Sequence, residues 1–73
     1  MIRVFVEGTQ RGYAVGTRRA GRTIREVHFR DDGTSAGIDK AYREASSFAA
    51  GLTETIKRRP DIARRQGWFG GAR

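Results

Sequence analysis

A single apolar stripe with the period of an α-helix is the feature that most constrains the fold of this 73-residue chain. Its members are separated by steps of three, one or four residues, which is typical of an amphipathic helix and not of a strand. They are Ile38, Ala41, Tyr42, Ala45, Phe48, Ala49, Leu52 and Ile56. The stripe predicts one long helix over residues 35–59, which Pro60 terminates.

The residues before the stripe alternate between apolar and polar types, which predicts three short strands. These strands are expected at residues 2–7, 13–18 and 22–30. Ile24 is out of phase with Val27 and Phe29, so the third strand either has a bulge near Arg25 or leaves Ile24 partly exposed. Short turns between the strands favour antiparallel hairpins. The predicted fold class is therefore α+β, with a three-stranded antiparallel sheet packed on one long helix in the order β-β-β-α.

A chain of this length forms one domain at most. We expect residues 1–59 to be that domain and residues 60–73 to form a short helix followed by a flexible basic and aromatic tail. Trp68 and Phe69 have two interpretations. Either they fold back and fill a gap in the core, or they stay exposed and contact a partner.

The helix stripe must cover one face of the sheet and leave the other face open. We expect the covered face to carry seven apolar residues: Ile2, Val4, Val6, Tyr13, Val15, Val27 and Phe29. We expect the open face to be mixed in charge: Arg3, Phe5, Glu7, Ala14, Gly16, Arg18, Glu26, His28 and Arg30. Such a face is suited to partner recognition, and homodimerisation through it is a further expectation.

The charge of the chain is strongly basic, with 15 Lys and Arg against 8 Asp and Glu and a net charge of +7. Residues 1–30 hold seven arginines against two glutamates, and residues 57–73 hold six cations against one acid, whereas residues 31–56 are acidic. Separated basic segments of this kind indicate a polyanionic partner. The candidate contacts to nucleic acid or another partner are Arg3, Phe5, Arg18, Arg19, Arg22, Arg25, Arg30, Arg64, Arg65 and Trp68.

The composition argues against several other classes of function. The chain has no cysteine and one histidine, and no nucleophile–base–acid arrangement follows from its spacing. We therefore expect no enzymatic activity, no catalytic residues, no cofactor and no metal site. No apolar run reaches the ~18 residues that a membrane span needs, and no signal peptide is recognisable. We expect a cytoplasmic protein without a membrane partner.

Three short strands, a basic hairpin and a helix reading Ala41-Tyr42-Arg43-Glu44-Ala45 resemble the AP2-type DNA-binding domain. The arm-binding domains of phage integrases are similar. The resemblance covers residues 1–56, and the Trp-rich second strand of the family is absent. It implies a sheet that lies in the major groove of duplex DNA, with Arg18, Arg22 and Arg25 as possible DNA contacts.

The same β-β-β-α layout is also similar to some small phage-encoded anti-CRISPR proteins. Two functions are therefore expected from the sequence. The first is a nucleic-acid-binding module of phage or mobile-element origin, with duplex DNA as its partner. The second is an inhibitor that docks on a nucleoprotein complex and blocks its nucleic-acid-binding surface.

Overall fold

The computed structural model describes residues 1–70 and has the predicted α+β layout. Three strands, β1 (Ile2–Thr9), β2 (Gly12–Arg19) and β3 (Arg22–Arg30), form an antiparallel sheet in the order β1-β2-β3. A long helix, α1 (Ser35–Arg58), and a short helix, α2 (Pro60–Arg65), follow. The prediction of the fold class is confirmed, and β1 and β2 extend one or two residues beyond the predicted bounds.

The β2–β3 hairpin turns on two residues, Ala20 and Gly21, which both have positive φ (52° and 80°). Two consecutive positive φ angles are typical of a tight hairpin turn that preserves the twist of its strands. The register then shifts, because Thr17 pairs with Arg25 while Arg18 pairs with Thr23. Ile24 is therefore the extra residue of a β-bulge, and this explains the break in alternation seen in the sequence.

The N-terminus of α1 is fixed by a small network of hydrogen bonds. The Oγ1 of Thr34, the N-cap residue, accepts a hydrogen bond from the Gly37 amide at 3.0 Å. The same hydroxyl donates to Asp32 Oδ1 at 2.6 Å, and the Thr34 amide donates to that oxygen at 3.0 Å. These donors from Thr34 hold the pKa of Asp32 below its ordinary value.

The core between sheet and helices is built largely from small residues. Its buried members are Val15, Ala45, Ala49, Leu52, Ala63 and Trp68. Leu52 is the one large member of the helix stripe that is buried, whereas Tyr42, Ile38 and Phe48 lie at the margins and are 52 %, 41 % and 36 % exposed. Val6 lies on the helix-covered side, as predicted, because it pairs with the buried Val15, but the helices leave it 41 % exposed. A helix about 10 Å wide covers the central strand and only part of the two outer strands.

The segment after Pro60 differs most from the sequence-based expectation. Residues 60–70 are not a flexible tail, because α2 is followed by a turn that returns Trp68 to the core. Trp68 is 4 % exposed, and its ring lies 6.0 Å from that of Phe48. The buried Thr17 hydroxyl donates to the Trp68 carbonyl oxygen at 2.7 Å. Residues 60–70 therefore share one core with the sheet, while the expected tail at 71–73 lies outside the described residues.

Candidate functional site

The strand register sorts the predicted arginines onto two different faces of the sheet. Residues paired across the three strands form rows, and successive rows face opposite sides. The row containing Thr17 and Arg25 faces the helices, because Thr17 contacts Trp68. By the same alternation, Arg19 and Arg22 also lie on the helix-covered side. The candidates on the open face are Arg3, Phe5, Arg18 and Arg30.

On the open face, Arg18 is held by neighbours within the protein. Its guanidinium lies 3.9 Å from the ring centroid of Phe5. It donates to Glu7 at 2.9 and 3.2 Å, and its Nε donates to the Thr23 hydroxyl at 3.2 Å. Gly16 pairs with Phe5 across the strands and carries no side chain that would obstruct this arrangement. Arg18 therefore has less freedom to reach a phosphate than its position in the hairpin predicted.

The open face as a whole is mixed in charge, as the sequence predicted. The carboxylate of Glu26 lies 3.2 Å from the ring of His28. Arg3 and Arg30 are exposed, but they lie at opposite ends of the face, since Arg3 pairs near the β2–β3 hairpin and Arg30 pairs with Gly12. This face does not concentrate positive charge.

On the helix side, Arg25 is a structural residue. Its guanidinium lies 4.5 Å from the ring centroid of Trp68, and its Nη1 donates to the carbonyl oxygen of Gln66. Arg25 thus fastens the turn after α2 to β3. The guanidinium of Arg25, an exposed residue, and the buried ring of Trp68 are therefore both held by contacts within the protein. The sequence pattern placed both among the candidates.

Several exposed cations converge at one end of the molecule, which we call the basic end. Ile2, Arg19 and Arg22 form the terminal row of the sheet. The C-terminal part of α1 lies beside this row, because Ile2, Ile56 and Lys57 line the same groove. The contact of Arg25 with the turn after α2 brings the end of α2 to the same region. The basic end comprises Arg3, Arg19, Arg22, Lys57, Arg58, Arg59, Arg64 and Arg65.

Few acids neutralise the basic end. Arg58 pairs with Glu54 at 2.8 Å. Asp61 is shared by Arg59 at 3.9 Å and Arg65 at 3.6 Å. Within residues 1–70, the other members of the basic end have no ion pair within 4.0 Å: Arg3, Arg19, Arg22, Lys57 and Arg64. The guanidinium of Arg64 lies 5.4 Å from the ring centroid of Phe69.

The three cations at the end of α1 were not among the sequence-based candidates, because favourable interaction with the helix dipole accounts for cations at that position. Helix length was the signal that could have identified them. At 1.5 Å per residue, the 24 residues of α1 extend for about 36 Å. That length carries the chain from the end of β3 back to the β2–β3 hairpin, so the cations at 57–59 meet those of the sheet.

No cluster of three or more metal-binding side chains occurs in the part of the chain that the structure describes. Neither helix of residues 1–70 has the length and apolar character needed to cross a membrane. Comparisons with models of known protein families, with curated proteins and with solved structures found no match.

Proposed function

We propose that the protein binds nucleic acid, with duplex DNA as the preferred form, through phosphate contacts at the basic end. The observation that carries the proposal is the direct cross-strand pairing of Arg19 with Arg22 at the hairpin tip. Like charges placed opposite each other destabilise a sheet. Here no carboxylate within 4.0 Å offsets them in residues 1–70. A polyanionic ligand would supply the missing negative charge.

The proposed contacts differ from those suggested by a sheet lying in the major groove. The guanidinium groups of Arg18 and Arg25 are already held by contacts within the protein, so we propose them as structural residues and not as the main phosphate contacts. The exposed cations of the hairpin and the two helices are instead the proposed phosphate contacts: Arg19, Arg22, Lys57, Arg64 and Arg65. Phosphate contacts carry no base information, so this mode provides affinity and orientation rather than sequence readout.

The test compares two variants with the same change in net charge. R19Q/R22Q removes two cations from the basic end, whereas R11Q/R43Q removes two exposed cations outside it. We expect the affinity for duplex DNA to fall as the salt concentration rises. In R19Q/R22Q, the slope of the logarithm of the association constant against the logarithm of the salt concentration should become shallower by about one unit per lost phosphate contact. The control should retain the wild-type slope.

Two results would contradict the proposal. One is the absence of binding to duplex and single-stranded probes at low salt. The other is an equal loss of affinity in the two variants, which would show that net charge and not the basic end is responsible. Circular dichroism of both variants would establish that each retains its helix content.

The open face supports a second candidate function, docking on a protein partner as an inhibitor of a nucleoprotein complex. The observation that favours it is the stack of Arg18 on Phe5, since arginine and aromatic residues are enriched at protein interfaces. A complex captured from nuclease-treated host lysate should then be lost in F5A and retained in R19Q/R22Q. Capture that disappears after nuclease treatment would exclude this function.

A further inference from the structure

The two edges of the sheet differ in how they are protected against pairing with another strand. β3 has a bulge at Ile24, and Gly70 of the C-terminal segment lies against that residue. Bulges and covering segments are common protections for an edge. β1 pairs with β2 without interruption from Ile2 to Thr9, and no other strand of residues 1–70 pairs with its outer edge. The β1 edge is therefore available for a further strand.

An apolar groove accompanies this edge. It has a volume of about 660 Å³ and lies between β1 and the C-terminal half of α1. Its apolar lining includes Ile2, Val4 and Ile56, together with the fully exposed side chain of Met1. Val6, farther along β1, is 41 % exposed. Exposed apolar surface next to an unpaired strand is typical of an interaction site.

The sequence of β1 is complementary to itself in the antiparallel direction. Arg3 and Glu7 each lie two residues from Phe5, on the same face of the strand. In an antiparallel pair centred on Phe5, Arg3 of each copy lies opposite Glu7 of the other. In a parallel pair without offset, each charge would instead face its own kind. Oppositely charged cross-strand neighbours stabilise a strand pair, and like charges destabilise it.

We propose that two copies of this chain associate through antiparallel pairing of their β1 strands, centred on Phe5, to form a continuous six-stranded sheet. This places the contact at the edge of the sheet and not on its open face. The centred register also pairs Val4 with Val6 of the second copy, on the helix-covered side. Glu7 already accepts hydrogen bonds from Arg18. A carboxylate has enough lone pairs to accept a further donor from Arg3.

The helices leave room for this arrangement. A two-fold axis perpendicular to the sheet places both helix layers on the same side. The two β2 strands, over which the α1 helices lie, would be separated by three strand spacings, or about 14 Å. That distance exceeds the 8–10 Å typical of directly packed helices, so the helices do not collide. The apolar groove of each copy then adjoins Val6 of the second copy, because Val4 lines the groove and pairs with that residue.

Charge exchange tests the proposal without requiring knowledge of any ligand. In R3E each copy presents two glutamates at positions 3 and 7, and in E7R each copy presents two arginines. Each variant alone should dimerise at least about tenfold more weakly than wild type, because both charge pairs become repulsive. An equimolar mixture should form a heterodimer, since every charge then meets its opposite. Analytical ultracentrifugation and native mass spectrometry would measure both effects.

R30E is the matched control, because Arg30 is exposed on the same face but belongs to β3. It should leave the dimer unchanged. A monomeric wild type at several hundred micromolar, or a mixture of R3E and E7R that stays monomeric, would overturn the proposal. So would an equal loss of dimerisation in R30E and R3E.

A second measurement remains decisive if a charge variant fails to fold. The chain has no cysteine, so F5C introduces a single thiol at the proposed centre of symmetry. Two such thiols on directly opposed residues are within disulfide distance. F5C should crosslink rapidly under mild oxidation, whereas H28C on the same sheet face should not. Equal crosslinking of both variants would contradict the β1 pairing.

Discussion

The hydrogen bond between Thr17 and Trp68 fastens the C-terminal segment to the centre of the sheet. Thr17 is fully buried, and its hydroxyl donates to the Trp68 carbonyl oxygen at 2.7 Å. T17V preserves the branched shape of the side chain but replaces the donor with a methyl group. The Trp68 carbonyl would then have lost its partner at a site closed to water, which costs about 1–3 kcal/mol. A chain of this size has a total stability of only about 4–11 kcal/mol.

Urea and thermal unfolding would measure this cost, with about 4–8 °C of melting temperature lost for each kcal/mol in a domain of this size. T55V is the matched control, because its hydroxyl donates to the Gly51 carbonyl within α1 at 2.9 Å. That carbonyl also belongs to the helical i to i+4 pattern. The control should change stability by less than about 0.5 kcal/mol. Equal effects of T17V and T55V would show that water reaches the Trp68 carbonyl and that residues 66–70 do not pack tightly on the sheet.

Three further predictions concern α1 and the turn that precedes it. The donors of Thr34 depress the pKa of Asp32, so this carboxylate contributes stability above its unfolded value of 3.8 and loses that contribution as pH falls through the lower, folded value. D32N should therefore weaken the fall in melting temperature below pH 3.8, as thermal scans at several pH values would show. G51A should raise the stability by up to about 1 kcal/mol, since nothing lies within 4 Å of its new methyl group. G37A should lack this gain, because a methyl group there would displace the Asp32 carboxylate that accepts hydrogen bonds from Thr34.

Local patterns predicted the elements of this fold because each element has its own period. The eight-residue stripe identified α1, and the phase break at Ile24 indicated the bulge that the register contains. The strand register puts Arg25 on the same face as Val27, whereas the sequence predicted Arg25 only as a candidate contact. The sequence could not show what Arg25 contacts there, since its partners Gln66 and Trp68 lie more than 40 residues away in the chain.

The burial of Trp68 follows from the volumes of the core side chains and not from any periodic pattern in the sequence. The stripe of α1 contributes mainly alanines to the buried core, and Ala45 is the most buried of them. Ala63 of α2 is equally buried. Small side chains on both helices leave space between them and the sheet, and close packing requires that this space be filled. A sequence reading that counted side-chain volumes across α1 would have favoured the folded-back position of Trp68 over an exposed one.

The two proposals together make a geometric statement that neither makes alone. The two-fold axis of the dimer lies midway between the two Phe5 residues. From this axis, the β2–β3 hairpin tip lies about four residues, or about 13 Å, along the strand and about two strand spacings, or about 10 Å, to the side. The two tips of a dimer would thus be about 33 Å apart, with Arg19 and Arg22 of both copies on the same side, close to the ~34 Å repeat of a duplex.

A dimer of this shape would bind one face of DNA across one helical turn, and its two basic ends would bind with avidity. R3E would then weaken binding to a 20-base-pair duplex by more than the loss of one phosphate contact, although Arg19 and Arg22 remain in place. On a duplex of half that length, only one basic end is engaged. On this shorter duplex, the affinities of wild type and R3E should differ by no more than the loss of one phosphate contact would cause.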